Sequence, residues 1–493
     1  MLAVDNNPVG QNDAYYRVLD AMTDLRMAPQ MGVWRLLEVN SGTLAVHAAL
    51  LRTGDVMFFA GSSNDPDRHN MNQYGTTVWH YPGPDADQPA TPVDMFCVGQ
   101  AFLPDGRLLV AGGTEQYDPF LGLRQSITFD PTDLAWTAQA DMAGGRWYPS
   151  LLALADGRVL ATAGLDETSM LNIVPEIYDD GVGWAALPPS PHWPLYGHLF
   201  LLADGRIFYS GGQYGDNNGV RPAVWNLADN TVIDIPGLSD AGSRNQSASV
   251  LLAPAQSQRI MIIGGGPYDM HNQAGATAST AIVDLTEPAP QYIPAANLNM
   301  ARMHLCATLL PDRTVLVNGG AMMEETAAQA SLGAEIYHVD NDRWEMAADS
   351  RVPRLYHSIA LLMPDGKVVT AGSNPQRKTE ELRIEVFWPP YLFAGPRPSV
   401  TPAKSDLRYG ATMQAATPNA ARIATAALMR PGATTHSSDL EQRLVDLPIT
   451  VSGPDALELR LPASADIAPP GWYLLSVVDQ AGIPSSAAWV HLS

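Results

Sequence analysis

The segment AFLPDGRLLVAGG, residues 101–113, decides the fold class. It contains two short apolar runs that are joined by Asp-Gly and closed by a pair of glycines. Asp-Gly between two β-rich runs predicts a tight hairpin, because the favoured two-residue turn needs a positive φ at both central positions. Glycine at the end of the second run lets the chain turn where a side chain would clash. The segment therefore predicts a β-hairpin.

Seven segments of the chain share this pattern in a looser form, with a turn that is often Asp-Gly and with one or two closing glycines. Their closing glycines are Gly61, Gly113, Gly164, Gly212, Gly265, Gly320 and Gly372. Successive closing glycines lie about fifty residues apart, which is the period of the kelch repeat, and each such repeat forms one four-stranded blade. Tryptophan-bearing segments between the hairpins supply candidate outer strands. We therefore predict an all-β protein with a seven-bladed, kelch-type β-propeller.

Two regions lie outside the repeats. Residues 1–31 are an N-terminal extension in which residues 13–27 predict a short helix, and GVWRLLEV (32–39) predicts an outer strand that closes the ring against the seventh blade. After Gly372 the pattern stops, and the proline-rich segment 387–398 marks a boundary. Short β-rich runs follow at the spacing of a sandwich. The predicted domains are the extension at 1–31, the propeller at 32–385 and an immunoglobulin-like β-sandwich at 386–493.

Composition narrows the classes of function. The 493 residues include 29 basic and 51 acidic side chains, for a net charge of −22, and 46% of them are hydrophobic. A chain this negative repels phosphate backbones and anionic membrane surfaces. No apolar run reaches the length of a membrane-spanning helix. We therefore expect an acidic globular protein with a large core, no nucleic-acid partner and no membrane span.

One position in each hairpin is expected to face the propeller axis. Counting back sixteen residues from each closing glycine gives Ala45, Cys97, Tyr148, Tyr196, Ser249, His304 and Tyr356. A second imidazole, His357, follows directly. Phenols, imidazoles and a thiol are unusual where small apolar side chains are the rule. They fit either hydrogen bonding around a wet channel or a metal on the axis, and phenolate and imidazole suit Cu(II) or Fe(III) better than Mg²⁺ or Ca²⁺.

Four stretches of the chain carry a resemblance to a known family. Three include these axial residues, namely DMFCVGQAFLPDGRLLVAGG (94–113), GRWYPSLLALADGRVLATAG (145–164) and RLYHSIALLMPDGKVVTAG (354–372), and the fourth is GATTHSSDLEQRLVDLPI (432–449). Together they resemble the galactose oxidase and glyoxal oxidase family of copper-radical oxidases. The FC-x-G and RWYP motifs bring the chain closer to the glyoxal oxidase and bacterial branch. The resemblance covers residues 32–493.

This resemblance implies a reaction centre. Copper would lie between Tyr148, Tyr356, His357 and His436, with His436 on a loop of the sandwich. Cys97 would be joined to Tyr148 by a thioether, which makes a redox cofactor from two side chains. Tyr356 would take the proton of a substrate hydroxyl, and Tyr148 would take a hydrogen atom from the substrate carbon. The implied reaction oxidises a primary alcohol or aldehyde hydrate to the aldehyde or carboxylic acid, while O₂ becomes H₂O₂.

The chain departs from galactose oxidase at one position. There, a tryptophan stacks over the cross-linked tyrosine just after the closing glycines of that blade. Here Asp166 stands near that position. Another aromatic residue is therefore expected to cover Tyr148, and the candidates are Trp147, Trp193 and Tyr196.

The alternative function is a kelch-type binding module or pseudoenzyme that binds ligands at the mouth of the channel. The intact set of five site residues favours the enzyme. We expect a monomer whose partners are a small alcohol or aldehyde and O₂. The resemblance implies a secreted or cell-surface location, although residues 1–16 lack the basic and apolar regions by which a signal peptide is recognised.

Other residues that stand out in the sequence have structural interpretations. Cys306 is expected to be a buried thiol, because it and Cys97 fall in blades on opposite sides of the channel and cannot form a disulfide. Gln442 and Arg443 are expected to brace the loop of His436. Three arginines just before inner strands are expected to make hydrogen bonds that link blades: Arg146, Arg302 and Arg354.

Overall fold

The computed structural model describes residues 25–239, 244–267, 275–323 and 326–493. Strands dominate these ranges, which confirms the all-β prediction. The helices are α1 (Ala28–Met31) and α2 (Pro66–Asn70), and 3₁₀ turns lie at Leu25–Met27, Ala255–Ser257, Ala327–Gln329, Pro390–Phe393 and Ala420–Arg422. Most of the helix predicted at 13–27 lies outside the described residues. None of the helices within the described ranges is long and apolar enough to cross a bilayer.

The strands up to Trp388 follow the repeats of the sequence. In chain order they are β1 (Val33–Asn40), β2 (His47–Leu50), β3 (Val56–Gly61), β4 (Gly75–Trp79), β5 (Ala86–Asp87), β6 (Gly99–Phe102), β7 (Leu108–Ala111), β8 (Thr114–Gln116), β9 (Leu121–Gly122), β10 (Ser126–Asp130), β11 (Ala135–Ala138), β12 (Ser150–Ala153), β13 (Val159–Thr162), β14 (Glu176–Asp179), β15 (Gly183–Ala186), β16 (Leu199–Leu201), β17 (Ile207–Tyr209), β18 (Ala223–Asn226), β19 (Thr231–Asp234), β20 (Ala248–Leu251), β21 (Arg259–Ile263), β22 (Thr280–Asp284), β23 (Tyr292–Ala295), β24 (Cys306–Leu309), β25 (Val315–Asn318), β26 (Gly333–His338), β27 (Arg343–Asp349), β28 (Ser358–Leu362), β29 (Val368–Gly372) and β30 (Arg383–Trp388).

Among the described residues, these strands form seven successive antiparallel sheets and the small hairpin β8–β9. Each sheet begins with one of the predicted hairpins, from β2–β3 in the first sheet to β28–β29 in the seventh. The first strands of most neighbouring sheets pack together, such as β6 with β12 and β24 with β28, and β28 of the last sheet contacts β2 of the first. β1 pairs antiparallel with β30, so that Trp34 lies opposite Phe387. The strand predicted at 32–39 therefore completes the seventh sheet, as expected.

The hairpin turns differ from the predicted two-residue type. In the second sheet, the Leu103 N–H donates to the carbonyl of Arg107 (2.9 Å), so three residues lie between the closing pair. Only Gly106 among them has a positive φ, of 90°. This geometry is a three-residue loop that ends on a left-handed residue. Glycine is still needed at that point, because other residues rarely adopt its backbone conformation.

The core lies between the sheets. Met57 and Phe59 of β3 belong to the same buried cluster as Val110 of β7, and similar clusters fill the other spaces between neighbouring sheets. Burial of a side chain of this size contributes about 1.5–3 kcal/mol.

The arginines before the inner strands make bonds of two kinds. The Arg146 carbonyl accepts the N–H of Gly113 in the preceding sheet (2.9 Å), which links two sheets as expected. Its guanidinium instead bonds inside its own sheet, to the Ala163 carbonyl and to Glu176. Corresponding buried ion pairs join Arg302 to Glu335 and Arg354 to Glu385. The expected linkage between blades is therefore made by the main chain, and the side chains hold each sheet to its own outer strands.

The C-terminal region folds as the predicted sandwich. Its strands are β31 (Thr401–Pro402), β32 (Asp406–Leu407), β33 (Thr412–Ala416), β34 (Ile423–Met429), β35 (Ala433–Thr435), β36 (Ser438–Asp439), β37 (Leu444–Leu447), β38 (Ile449–Gly453), β39 (Ala456–Arg460), β40 (Gly471–Asp479) and β41 (Ala488–Leu492). One sheet has the order β31-β33-β39-β38 and the other the order β32-β41-β40-β34-β37. The hairpin β35–β36 joins neither of them. It pairs with β2 and extends the first propeller sheet at its inner edge.

Candidate metal centre

The structure brings all five predicted site residues together at the inner ends of the propeller strands. The Cys97 Sγ and one nitrogen each of His357 and His436 lie within 4.8 Å of one another. The Tyr148 and Tyr356 hydroxyl groups are in contact. Tyr356 is partly buried, whereas the other four side chains are at most 4% exposed. The cluster is therefore enclosed, and Tyr356 is its most accessible member.

Four of these residues share an uncommon backbone conformation. Cys97, Tyr148, His357 and His436 have φ values of 65°, 66°, 61° and 46°. Each left-handed residue other than glycine costs on the order of 1–3 kcal/mol, and such residues concentrate at functional sites. The first three precede the inner strands β6, β12 and β28. The Tyr148 N–H donates to the Cys97 carbonyl (3.0 Å), so the two partners of the expected thioether are joined through the main chain.

Strand register corrects two members of the ring that was predicted from the closing glycines. Gly99 pairs with Ala111 in the second sheet, whereas Ser358 pairs with Gly372 in the seventh. The register counterpart of Cys97 in the seventh sheet is therefore His357, and Tyr356 precedes it. In the fifth sheet Ser249 lies inside β20 and is not on the ring.

Gln246 takes the fifth position instead of Ser249. Its φ is 56°, and its carbonyl accepts the N–H of His304, the next ring residue (2.9 Å). The longer turn of the fifth hairpin, which runs from Leu252 to Arg259, displaced the count by three residues.

Hydrogen bonds define the orientation of His436. The Thr435 hydroxyl donates to the Val46 carbonyl (2.9 Å), and its oxygen lies 2.6 Å from His436 Nδ1. Because the hydroxyl proton is already used, Nδ1 must carry the proton of this contact. Nε2 then has a free lone pair and lies 3.8 Å from the Cys97 Sγ. An imidazole held through one nitrogen with the other free is the usual arrangement of a metal ligand.

Contacts with the propeller fix the hairpin that bears His436. Gln100 donates to the Thr434 carbonyl (3.0 Å), and a Glu441 carboxylate oxygen accepts the N–H of Phe102 (3.0 Å). Gln442 bonds the main chain of the sixth sheet at Ala307 and Leu309 (3.0 and 2.9 Å). Gln442 therefore braces the hairpin as expected.

The expectation for Arg443 is wrong. Its guanidinium donates to the carbonyls of Asp466 and Ile467 inside the sandwich. Its bonds therefore stabilise the sandwich and do not reach the propeller.

Of the three candidates, Trp147 covers Tyr148 most closely. Their ring centroids are 3.7 Å apart and the planes differ by 12°. Phe120 stacks on the other face of Trp147, at 4.2 Å and 13°. Tyr196 is tilted by 31° against Tyr148 at 4.6 Å, and Trp193 packs on other rings of the fourth sheet. Asp166 bonds to Thr168 and takes no part in this stack.

The donor set fits a copper ion. Burial lowers the pKa of His357 to about 3 and lowers that of His436 well below its usual value, so both rings are neutral. Asn374 lies beside the ring as an acceptor and raises the pKa of His357 slightly, and neither buried ring nitrogen accepts a hydrogen bond, which leaves a lone pair free for a metal. Burial also raises the pKa of the Tyr148 and Tyr356 phenols well above the usual range. A bound cation would offset that effect, because it stabilises the phenolate.

Two residues near the cluster were missed by the sequence interpretation. His47 is fully buried, has no hydrogen-bond partner for either ring nitrogen, and lies 5.9 Å from His436 between ring centroids. Tyr214 meets Tyr148 edge-on at 4.7 Å. The count from the closing glycines examined only one position in each hairpin, sixteen residues before the glycine. His47 begins β2 and Tyr214 follows the closing glycine of the fourth hairpin, and a search of both positions in all repeats would have found them.

The two cysteines of the chain are not paired with each other, as expected from the sequence. Cys97 and Cys306 are both buried and neither forms a disulfide. The Cys306 thiol contacts the Ser358 carbonyl at 3.6 Å, between the sixth and seventh sheets.

Comparisons with known proteins cover both the propeller and the sandwich. The family model described as Glyoxal oxidase N-terminus matches residues 89–391, and the one described as Galactose oxidase-like, Early set domain matches residues 397–492. Galactose oxidase from Gibberella zeae is 26% identical over 430 residues, which cover 81% of this chain and 61% of that protein. The chain thus spans about three fifths of the length of that relative.

Two further comparisons cover nearly the whole chain. Aldehyde oxidase GLOX from Vitis pseudoreticulata is 28% identical over 539 residues, which cover 96% of this chain and 99% of the relative. A solved fungal alcohol oxidase of the AA5 family, in complex with copper, superposes with a TM-score of 0.81 at 22% identity, over 94% of this chain and 100% of its own. That match shows the shared fold. With a family model that matches more than half of its residues, the chain belongs to the glyoxal oxidase family.

Proposed function

We propose that the protein is a copper-radical oxidase that oxidises a primary alcohol or an aldehyde hydrate with O₂ and releases H₂O₂. The observation that carries the proposal is the convergence of a thiol, two phenols and two neutral imidazoles in one enclosed cluster. The names of the relatives, galactose oxidase and aldehyde oxidase, support the same reaction class.

Copper would be held by Tyr148, Tyr356, His357 and His436. It would supply a one-electron redox centre next to Tyr148. The two imidazoles contribute neutral nitrogen donors, and the two phenols contribute oxygen donors that lose their protons on binding. The donor types fit copper better than Mg²⁺ or Ca²⁺, which prefer carboxylate and carbonyl oxygens.

Cys97 and Tyr148 would form the organic part of the cofactor. A bond between the Cys97 Sγ and a ring carbon of Tyr148 replaces one S–H and one C–H bond, and O₂ accepts the two electrons and two protons. The main-chain bond between the two residues supports this assignment, because it fixes their separation before the bond forms. Trp147 shields the Tyr148 ring from water on the stacked face.

Tyr356 would bind and deprotonate the substrate hydroxyl. It is the most accessible of the five residues, and its oxygen contacts that of Tyr148. A substrate whose oxygen replaces or neighbours the Tyr356 oxygen therefore holds its carbon close to the Tyr148 oxygen, which takes the hydrogen atom. A proton acceptor within hydrogen-bond reach is what general base catalysis requires.

Mass spectrometry of the intact protein tests the cofactor. After treatment with Cu(II) and air, we expect the wild-type protein to lose the mass of two hydrogen atoms. Cys306→Ala is the matched control, because it removes the other buried cysteine, and it should lose the same mass. Cys97→Ala should show no loss. A wild-type protein that binds copper and keeps its full mass would contradict the radical mechanism.

A substrate panel tests the reaction. We expect H₂O₂ to be released from a primary alcohol, an aldehyde or a sugar alcohol group, and Tyr356→Phe to lower the rate with each active substrate. Absence of H₂O₂ from the cross-linked, copper-loaded protein across the panel would contradict the oxidase assignment. We also propose that the protein acts as a monomer and is secreted or at the cell surface, and sedimentation and cell fractionation test these two points.

A further inference from the structure

A chain of polar side chains beside the site has no role in the proposed reaction. The Tyr117 hydroxyl lies 2.7 Å from the Ser62 hydroxyl, which donates to Asp94 Oδ2 (2.7 Å). Because the single Ser62 proton is used there, Ser62 accepts its other bond from Tyr117. The His69 Nδ1 lies 2.9 Å from the same Asp94 oxygen. A continuous hydrogen-bonded path therefore connects a phenol to an imidazole.

The order of these residues excludes a hydrolase triad. In a triad the imidazole contacts the serine hydroxyl, whereas here Asp94 lies between Ser62 and His69. Asp94 also accepts the main-chain N–H groups of Ser62 and Phe96 (2.7 and 3.1 Å). The His69 side chain is 19% exposed, so the path ends near solvent. Its geometry suits the transfer of a proton away from Tyr117.

A line of aromatic rings connects the same tyrosine to the candidate cofactor. The Tyr117 and Phe120 centroids are 5.0 Å apart, and Phe120 stacks on Trp147 at 4.2 Å. Trp147 stacks on Tyr148 at 3.7 Å. The rings are thus in contact from Tyr117 to Tyr148. Tyrosine and tryptophan are the aromatic side chains that lose an electron most readily, and the phenol loses its proton with it.

A cation covers the outer end of this line. The Arg377 guanidinium lies 5.5 Å from the centroid of Tyr117 and 5.6 Å from that of Phe120. Two hydrogen bonds to Asp118 (2.6 and 2.7 Å) hold it in place, and its side chain is 40% exposed. Tyr117 itself is 9% exposed. A small redox agent at Arg377 would therefore be separated from the Tyr117 ring by one side chain.

We propose that Tyr117 and Trp147 form an electron-transfer route by which small one-electron oxidants at Arg377 oxidise Tyr148 to its radical. This inference rests on the proposed function. The oxidant takes one electron from Tyr117, whose proton moves to Ser62 while Ser62 passes its own proton to Asp94. Trp147 then returns an electron to Tyr117, and the protons move back. Tyr148 supplies the electron to Trp147, so the net change is one electron from Tyr148 to the oxidant.

Rapid mixing tests the route. The copper-loaded, cross-linked protein in its one-electron-reduced form is mixed with hexacyanoferrate(III), and the optical and EPR signals of the tyrosyl radical are followed. We expect Tyr117→Phe to slow the appearance of the radical about tenfold or more, because it removes the proton-coupled step. Ser62→Ala keeps the ring contacts but removes the proton acceptor, and it should slow the reaction as well. Tyr178→Phe, at a buried tyrosine outside the line, is the control and should match the wild type.

The outcomes separate the route from the oxidase. Equal rates of radical formation in the wild type, Tyr117→Phe and Ser62→Ala would overturn the route and leave the oxidase proposal intact. A cross-linked, copper-loaded wild-type protein that gives no radical signal with the oxidant would overturn both. If Tyr117→Phe does not fold, Ser62→Ala against the wild type decides the question.

Discussion

Two regions build the site, and they hold their residues in different ways. The propeller contributes Cys97, Tyr148 and His357 from the same point of three repeated hairpins, so strand register places them. The sandwich contributes His436 from one hairpin that leaves its own sheets and pairs with β2. The propeller residues therefore depend on their own sheets, whereas His436 depends on contacts between two domains. Variants that affect one region and not the other test this difference.

Removal of one imidazole from either region should have the largest effect on metal binding. His357→Ala and His436→Ala are each expected to lower the copper affinity about 100-fold or more, since loss of a residue that only supports a ligand already costs about 10- to 100-fold. Competition with a coloured chelator measures the affinity. His338→Ala, in a partly exposed pair with Glu345, is the control and should not change the copper affinity. Unchanged affinity in either variant would remove that residue from the ligand set.

Loss of the buried carboxylate of Glu441 should destabilise the domain junction. Glu441→Ala leaves the buried Arg430 without its ion-pair partner and frees the N–H of Phe102, and the expected loss in the free energy of unfolding is about 3–5 kcal/mol. Urea denaturation measures it. Arg313→Ala is the matched control, because it breaks the half-exposed pair with Asp446 at the same junction and should cost at most about 1 kcal/mol. Equal losses in the free energy of unfolding would show that the buried ion pair contributes no more to stability than the half-exposed one.

Removal of the indole that covers Tyr148 should shorten the lifetime of the Tyr148 radical and leave the ligands of the metal in place. Trp147→Phe keeps a ring but loses part of the stacking on Tyr148 and Phe120. Stacking of this kind is worth about 0.5–1.5 kcal/mol, so the radical should decay about two- to tenfold faster. The decay of the radical signal in the absence of substrate measures it, and copper affinity should not change. A radical with the wild-type lifetime would exclude Trp147 as the shield.

The smallest expected effect is the contribution of His69 to the pH dependence of stability. The bond to Asp94 raises the pKa of His69 above its usual value, although burial opposes the shift. The folded protein therefore binds this proton more tightly, and the stability it provides is present below the usual pKa of about 6.5 and lost as the pH rises through the raised value. His69→Gln should remove this contribution, and because the group is partly exposed we expect less than about 1 kcal/mol. Denaturation at several pH values from 5 to 9 measures the difference; a constant difference would contradict the ion pair.

The repeat made the fold predictable from the sequence. Each hairpin carries the same apolar runs and the same glycine, so the period was visible without any knowledge of contacts. The phase of the repeat also placed Cys97 and Tyr148 correctly. It failed by one residue in the seventh repeat, because only one glycine closes that hairpin and Ser373, with a φ of 147°, takes the place of the second. A single glycine does not tell which of the two positions it occupies.

Other parts of the site could not be derived from a repeat. The hairpin of His436 occurs once, and its braces, such as the bonds of Gln442 to the sixth sheet, join residues more than a hundred positions apart. His47 lies one level away from the ring that the closing glycines sample. The stack of Trp147 on Tyr148 depends on the left-handed backbone at Tyr148, which no local sequence rule predicts for tyrosine.

His436 follows β35, a strand of the sandwich region that pairs with β2 of the propeller, and this position links the stability of the two domains. A metal held by His357 and His436 would be bound only while both domains are folded, so free copper at a concentration [L] would stabilise the two together by RT ln(1 + [L]/Kd). Heating the metal-free chain can then separate the melting of the sandwich from that of the propeller, whereas the loaded chain should melt as one unit. The metal would thus act as a clamp between domains whose main chains are already joined by the shared sheet.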